Sequence, residues 1–219
     1  MIASALISDI VSPIKTSDTG EEVLTMMNLF HVRHLPIVNN EELLGVISED
    51  DILSQNLDAA IGSYALSMRR PFADMQTNII DMMNVMAEYG LTALPVVNRD
   101  NVYKGMVLQE DIVRYFAESA TFHQPGSVII IETSRQDYSL VEISTIVEAE
   151  GAVIIGLFIY EHANPNSISL TIKLNTSNIQ HILAALSRYN YNVEASYSED
   201  EMTDTFRDRY DSLMKYLNV

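Results

Sequence analysis

The chain of 219 residues contains no cysteine and no tryptophan, and only 13 of its residues are lysine or arginine. Without cysteine there can be no disulfide and no thiolate metal site, which fits a reducing, cytoplasmic location. No apolar run approaches the roughly 18 residues that a membrane-spanning helix needs, and the N-terminus lacks the basic region of a signal peptide. We therefore expect a globular cytoplasmic protein that is not attached to a membrane.

The scarcity of basic residues gives the chain a formal net charge of −17, and both halves are acidic. Such a field repels the phosphate backbone of nucleic acids, so we expect no nucleic-acid partner. The same field opposes highly charged small molecules such as a nucleoside triphosphate, unless a local basic cluster or Mg²⁺ compensates. The composition is otherwise ordinary for a globular protein, since 47% of the residues are hydrophobic.

An internal repeat runs through the first half of the chain. Residues 35–39 (LPIVN) recur at 94–98 (LPVVN), and residues 45–52 (GVISEDDI) recur at 105–112 (GMVLQEDI). The preceding segments share the i, i+1, i+4, i+7 spacing of one apolar helix face, with Val23, Leu24, Met27 and Phe30 matching Met82, Met83, Met86 and Tyr89. Each copy therefore predicts β-α-β-β-α. A copy of about 55 residues buries too little surface alone, so we expect the two to stack.

Two groups of residues raise the question of a metal site. Methionines are frequent in the predicted helices (Met26, Met27, Met82, Met83 and Met86) and could in principle bind a soft metal. Their helical spacing, and their match to valine and leucine in the other copy, favour packing in the core. His31 and His34 lie three residues apart but straddle a predicted helix end, so we expect no metal there.

The repeated residues resemble the CBS domain, named after cystathionine β-synthase. Residues 33–38 (RHLPIV) look like the second strand of that family. Residues 45–52 look like its nucleotide motif: glycine, two hydrophobic residues, Ser or Thr, two variable residues, Asp and a hydrophobic residue. The resemblance covers about residues 4–118, in copies at about 4–60 and 64–120 of a first domain, 1–122. It implies a Bateman module, in which paired copies enclose two clefts that bind adenosyl ligands such as AMP, ADP, ATP, NAD or S-adenosylmethionine.

Ser48 and Asp51 are the strongest candidate ligand contacts. A strand that ends at Ser48 leads directly into a helix with Asp51 in its first turn, so a hydroxyl, free backbone N–H groups and a carboxylate converge. The resemblance implies that Asp51 holds a ribose diol. The alternative is that Asp51 and Asp111 only cap their helices. The second copy has Leu108 where the family has Ser or Thr, so we expect the Asp51 cleft to be the one used.

The resemblance also implies the other walls of the clefts, which the two copies share. Asp51 is expected to face Pro71 and Phe72, and Asp111 to face Ile14 and Thr16. Arg33, His34, Arg69 and Arg70 are the candidate phosphate contacts, with ordinary surface ion pairs as the alternative. The full set of expected nucleotide contacts is Ser48, Asp51, Arg33, His34, Pro36, Arg70, Pro71, Phe72, Ile14, Thr16 and Asp111.

The second half of the chain has a different pattern. Residues 126–198 predict βαββαβ, the order of a ferredoxin-like domain. Beside a sensory module this arrangement resembles an ACT domain, and the order CBS, CBS, ACT is similar to the acetoin-utilisation type of CBS protein. The loop 133–138 (TSRQDY) lacks the glycine common in ACT ligand loops, which favours oligomerisation over amino-acid binding. Residues 199–219 predict a final acidic helix.

These features predict a mixed α+β (α/β) regulatory protein rather than an enzyme. We find no nucleophile–base arrangement, no glycine-rich phosphate loop and no metal triad. The favoured hypothesis is a homodimer that senses an adenosyl ligand, requires no cofactor and acts on an enzyme or transporter. The alternative is an oligomerising adaptor, or regulatory subunit, whose ligand clefts are vestigial.

Overall fold

The computed structural model describes residues 1–8, 10–64, 69–162 and 164–198. They form two compact units, one ending at Phe116 and the other beginning at Ala117, and each is described by itself. The final helix predicted for 199–219 lies outside the described residues. Among the helices that are described, none is long and apolar enough to span a bilayer.

The first copy of the repeat occupies the start of the first unit. Its elements are α1 (Gly20–Leu29), β1 (His34–Asn39), β2 (Glu42–Ser48) and α2 (Glu49–Leu53). Strands β1 and β2 are antiparallel, and Ile14 adds a parallel bridge to Ile37. Thr19 and Glu22 form a reciprocal capping box that satisfies the first N–H groups of α1.

The second copy repeats this order. Its elements are β3 (Ala73–Asp74), α3 (Ile79–Tyr89), β4 (Ala93–Val97), β5 (Tyr103–Leu108) and α4 (Gln109–Ala117). The sheet order is β3-β4-β5. Asn78 caps the start of α3, and Gly90 ends it with φ +65°, a backbone conformation that glycine adopts without strain. The β-α-β-β-α prediction is confirmed, with the first strand of the first copy reduced to the bridge between Ile14 and Ile37.

The two copies are joined by exchanged segments. Ser8 N, in the N-terminal segment of the first copy, donates to Met106 O of β5. Symmetrically, Val46 N of β2 donates to Arg69 O, in the N-terminal segment of the second copy. The apolar cores are shared as well, since Met106 and Leu108 pack among first-copy residues and Val46 packs against the second-copy core. Neither copy therefore completes its core alone, as their small size predicts.

The methionines of the predicted helices contribute mainly to these cores. Met27, Met82 and Met86 are buried among apolar side chains, whereas Met83 is exposed. The packing interpretation thus accounts for the three buried methionines.

Tyr103 has a buried hydroxyl with no hydrogen-bond partner in the described part of the chain, and burial raises the pKa of its phenol. We expect Tyr103→Phe to raise the free energy of unfolding by up to about 1 kcal/mol, because it removes an unsatisfied buried polar group. Tyr191→Phe is the matched control. The Tyr191 hydroxyl donates to Glu142 at 2.6 Å, so its loss should destabilise. Urea unfolding curves of both variants decide the sign, and a destabilised Tyr103→Phe would contradict the prediction.

The second unit is an antiparallel sheet covered by two helices on one face. Its elements are α5 (Ala120–His123), β6 (Val128–Ser134), α6 (Leu140–Ala149), β7 (Ile154–Glu161), β8 (Ser167–Leu174), α7 (Gln180–Arg188) and β9 (Asn192–Tyr197). The strand order is β7-β8-β6-β9, so the first and third strands lie in the middle. This is the ferredoxin-like arrangement, and the predicted βαββαβ order is confirmed.

Helix α5 was not predicted from the sequence. Its Thr121 hydroxyl donates to Ile155 O at 2.6 Å, at a β-bulge of β7, and Phe122 packs against Phe158. These contacts group residues 117–123 with the second unit, whereas the first predicted domain runs to residue 122. A helix of four residues is too short to show a periodic signal, which is why the pattern did not reveal it.

Candidate ligand-binding site

Ser48 and Asp51 are held together at the start of α2 by three hydrogen bonds. Ser48 Oγ donates to Asp51 Oδ2 at 2.6 Å and accepts from Asp51 N at 3.1 Å. Ser48 N donates to the same Oδ2 at 3.0 Å. The pair is thus a reciprocal capping box, with aspartate in place of the usual Glu or Gln.

Capping and ligand binding by Asp51 need not compete, because capping uses only one carboxylate oxygen. Oδ2 accepts both bonds from Ser48, while Oδ1 accepts none from the described residues and is not buried. A carboxylate oxygen fixed in this way can accept from the hydroxyls of a ligand without a rotamer change. The geometry therefore allows both alternatives to hold at once.

Arg33 is engaged in ion pairs on the same helix start. Its Nε donates to Glu49 Oε2 at 2.9 Å, and its Nη2 lies 3.5 Å from Asp50 Oδ2. The hydrogen bond to Glu49, followed by the charges of Asp50 and Glu49, raises the pKa of the guanidinium. A phosphate at this position would have to displace two carboxylates. In the structure Arg33 therefore forms the surface ion pairs that were the alternative to phosphate binding.

His34 is half-buried beside Thr92 of the second copy. Its Nδ1 accepts from Thr92 N at 3.4 Å and lies 3.3 Å from Thr92 Oγ1. Burial, and secondly the charge of Arg33, lower the pKa of His34, which Asp51 and Asp50 raise to a lesser extent. The lowered pKa favours the neutral ring, which offers hydrogen bonds rather than positive charge.

The hydrogen bonds of Pro36, Ile14 and Thr16 in the structure are made by their backbone atoms. Ile14 N donates to Pro36 O at 3.0 Å, and Thr16 O accepts from Gly62 N at 2.8 Å. Ile14 and Pro36 are buried, and Ile14 packs in the apolar cluster of the first copy. Thr16 is partly exposed.

The N-terminal segment of the second copy is where the other wall is predicted. Arg70 is exposed and forms no ion pair with a described carboxylate, Pro71 is buried, and Phe72 is 43% exposed. The bond from Val46 N to Arg69 O attaches the start of this segment to β2, the strand that ends at Ser48. Arg69 and Arg70 are both exposed, and their phosphate contacts stay predictions.

Asp111, the counterpart of Asp51, has a different environment. Its Oδ1 pairs with Arg114 at 2.9 Å, while its buried Oδ2 has no partner among the residues that the structure describes. Leu108, in the place of Ser48, is 2% exposed and packs in one apolar cluster with Val11 and Ile14. Leu108 has no hydroxyl, so Asp111 Oδ2 lacks the partner that Ser48 provides for Asp51. The apolar cluster that contains Leu108 lies in its place.

Thr92 was missed as a site residue. Its Oγ1 accepts from Arg33 N at 2.8 Å and lies beside His34, so one hydroxyl links the two copies at the centre of the candidate site. The repeat contains the signal that could have found it. Thr92 follows Arg33 by 59 residues, the spacing between the two LPxVN segments, so the two positions are equivalent.

These features describe two α/β copies that share their cores and place equivalent strand-to-helix turns at Ser48 and Leu108. The CBS domain family model matches residues 4–58 and 62–118, just over half of the chain. The chain therefore belongs to the CBS domain family, and the tandem pair expected from the sequence is confirmed.

Three known proteins show how distant the individual similarities are. An uncharacterized protein of Methanocaldococcus jannaschii, MJ0188, is 24% identical over 113 residues, which are 51% of this chain and 42% of that protein. The chain thus spans less than half the length of this relative. A CBS domain pair/ACT domain protein from Thermotoga maritima is 22% identical with a TM-score of 0.48, covering 54% of this chain and 98% of that one. The CBS domain pair of protein MJ0100, solved with 5′-methylthioadenosine and S-adenosyl-L-methionine, is 26% identical with a TM-score of 0.43, covering 53% and 96%.

Proposed function

We propose that the protein is a non-catalytic regulator that senses an adenosyl ligand in the cleft of its CBS pair, with Asp51 as the principal contact. CBS domain pairs commonly bind adenosyl ligands and are regulatory. The observation that carries the proposal is the Asp51 carboxylate, which Ser48 orients through Oδ2 while Oδ1 stays available. Two adjacent ribose hydroxyls are the donors that suit such an oxygen.

The charge near Asp51 favours a ligand with few phosphates. Arg33 is bound to Glu49 and Asp50, and the lowered pKa of His34 favours its uncharged form. Arg69 and Arg70 are then the bases available to a phosphate, against a formal net charge of −17 for the chain. We expect AMP, NAD or S-adenosylmethionine to bind more tightly than ATP.

Isothermal titration with AMP, ADP, ATP, NAD and S-adenosylmethionine tests this proposal. Asp51→Ala should weaken binding of the tightest ligand at least tenfold, about 1.4 kcal/mol. Asp111→Ala removes the same group from the other copy and should change the affinity less than threefold. Thermal melts of both variants check that they are folded, because losing a cap costs about 1 kcal/mol. Equal affinity for Asp51→Ala and wild type, or no binding by any of the five, would overturn the proposal.

A second candidate function is an oligomerising adaptor for an enzyme or transporter, with vestigial clefts. Two observations favour it: Arg33 is bound to carboxylates, and Leu108 replaces the hydroxyl of the second motif. Strand β7, at an edge of its sheet, carries the exposed side chains Phe158, Ile159 and Tyr160, which suit a homodimer. The adaptor predicts a dimer in sedimentation experiments that binds none of the five ligands.

A further inference from the structure

A cavity of about 310 Å³ opens between the two copies within the first unit. It lies where the end of α1 meets the turn between β5 and α4. Its walls are Phe30, His31, Val32, Thr92, Leu108, Gln109, Glu110 and Val113. The interior is largely apolar, and Glu110 is its charged group. None of the predicted nucleotide contacts lines it, although Thr92 also bonds Arg33 N and lies beside His34 of the candidate site.

The repeat shows what the first copy has at the equivalent place. Thr92 is equivalent to Arg33, whereas Gln109 and Glu110 are equivalent to Glu49 and Asp50. In the first copy the Arg33 side chain reaches across to that helix start and pairs with both carboxylates, at 2.9 and 3.5 Å. In the second copy threonine replaces the arginine, and the cavity lies beside the corresponding helix turn. The protein therefore contains an arginine side chain at one position and an opening at its pseudo-symmetric counterpart.

We infer that this cavity binds a small alkyl cation, a guanidinium or primary amine on a short apolar chain. Arg33 is the internal example of this chemistry: an aliphatic stem that ends in a cation beside carboxylates in the first turn of a helix. In the cavity, Val32, Leu108 and Val113 offer apolar surface to the stem. Glu110 offers the carboxylate to the cation.

Among the charged groups near the cavity, the Glu110 carboxylate favours a cation over an anion, whereas Arg114 and the N-terminal end of α4 act against it. Glu110 is 60% exposed and only loosely paired, with its Oε1 3.8 Å from Arg114 Nη2, so it can turn towards a ligand. The positive end of the α4 dipole opposes a cation at this turn, but α2 presents the same polarity to Arg33, and the pairs with Glu49 and Asp50 form nonetheless. A phosphate would meet Glu110 and no cation equivalent to Arg33.

Agmatine, a four-carbon alkyl guanidinium, is the direct probe, with neutral N-butylurea as the uncharged comparison. Two-dimensional NMR titration of the full chain in 150 mM NaCl should show saturable agmatine shifts at residues of the cavity wall and none with N-butylurea. Glu110→Gln should weaken agmatine binding at least fivefold. Thr92→Arg should abolish it, because the new side chain can occupy the cavity and pair with Glu110, as Arg33 pairs with Glu49 and Asp50. Thr92 also binds Arg33 N, so Glu110→Gln carries the test if Thr92→Arg does not fold.

Asp50→Asn is the matched control, since it removes the same charge at the equivalent position, where Arg33 is already present. It should leave agmatine binding within twofold of wild type. A non-saturable agmatine response, or an equal loss in Asp50→Asn and Glu110→Gln, would mean attraction to the overall negative charge alone and would overturn the inference. None of these outcomes depends on adenosyl ligands, so failure here and failure of the proposed function are distinguishable.

Discussion

Leu108→Ser is expected to lower the free energy of unfolding of the first unit by about 2–3 kcal/mol, although it restores the residue typical of the family motif. Leu108 is 2% exposed and packs among apolar side chains of both copies, so truncation removes apolar burial and enlarges the space beside it. The new hydroxyl could donate to the unsatisfied Asp111 Oδ2, as Ser48 does to Asp51. Such a bond offsets only about 1 kcal/mol, so the apolar loss dominates.

Urea unfolding followed by circular dichroism measures this change, with amide hydrogen exchange in β5 and α4 assigning it to the first unit. Ser48→Ala is the control in the other copy and should cost about 1 kcal/mol, the usual value of a lost cap. The double variant Leu108→Ser/Asp111→Ala should be less stable than Leu108→Ser if the new hydrogen bond forms. A neutral or stabilising Leu108→Ser would show that the second motif tolerates a polar residue, contrary to our interpretation.

The repeat and both folds could be predicted from the sequence because their signals are local. Strand-to-helix turns such as the one at Ser48 are set by residues a few places apart. The same holds for the helical spacing of the apolar positions along α1 and α3. The ferredoxin-like order of the second unit follows in the same way, since each element has its own hydrophobic period. The missing hydroxyl at Leu108 was also visible, because it is a difference between aligned copies.

The remainder of the candidate site depends on contacts between distant residues, which no local pattern encodes. That Arg33 binds Glu49 and Asp50, and that Thr92 bridges to it, follows from how two pseudo-symmetric copies meet. The unsatisfied Asp111 Oδ2 likewise requires knowing that Leu108 points into the shared core. The predicted contacts of Asp51 with Pro71 and Phe72 stay predictions.

Gly126→Ala is expected to destabilise the second unit by about 3 kcal/mol or more, the scale of strain combined with broken buried hydrogen bonds. Gly126 has φ +150°, which L-residues rarely adopt, and an added Cβ would lie 2.0 Å from Leu174 O. That oxygen is part of the backbone, so relief requires β8 or the start of β6 to move. The move would disturb the buried bonds of Ser127, which donates to Thr176 O and accepts from Leu174 N.

Gly151→Ala separates the steric effect of Gly126→Ala from backbone strain alone. Gly151 also has positive φ, +78°, but an added Cβ would meet no atom within 4 Å. Its substitution should cost only about 1–2 kcal/mol, the price of a left-handed alanine. Amide exchange of the full chain should show strongly reduced protection in β6 and β8 for Gly126→Ala and little change there for Gly151→Ala. Equal effects of the two substitutions would mean that backbone strain, rather than the close approach of Gly126 to Leu174 O, causes the loss of stability.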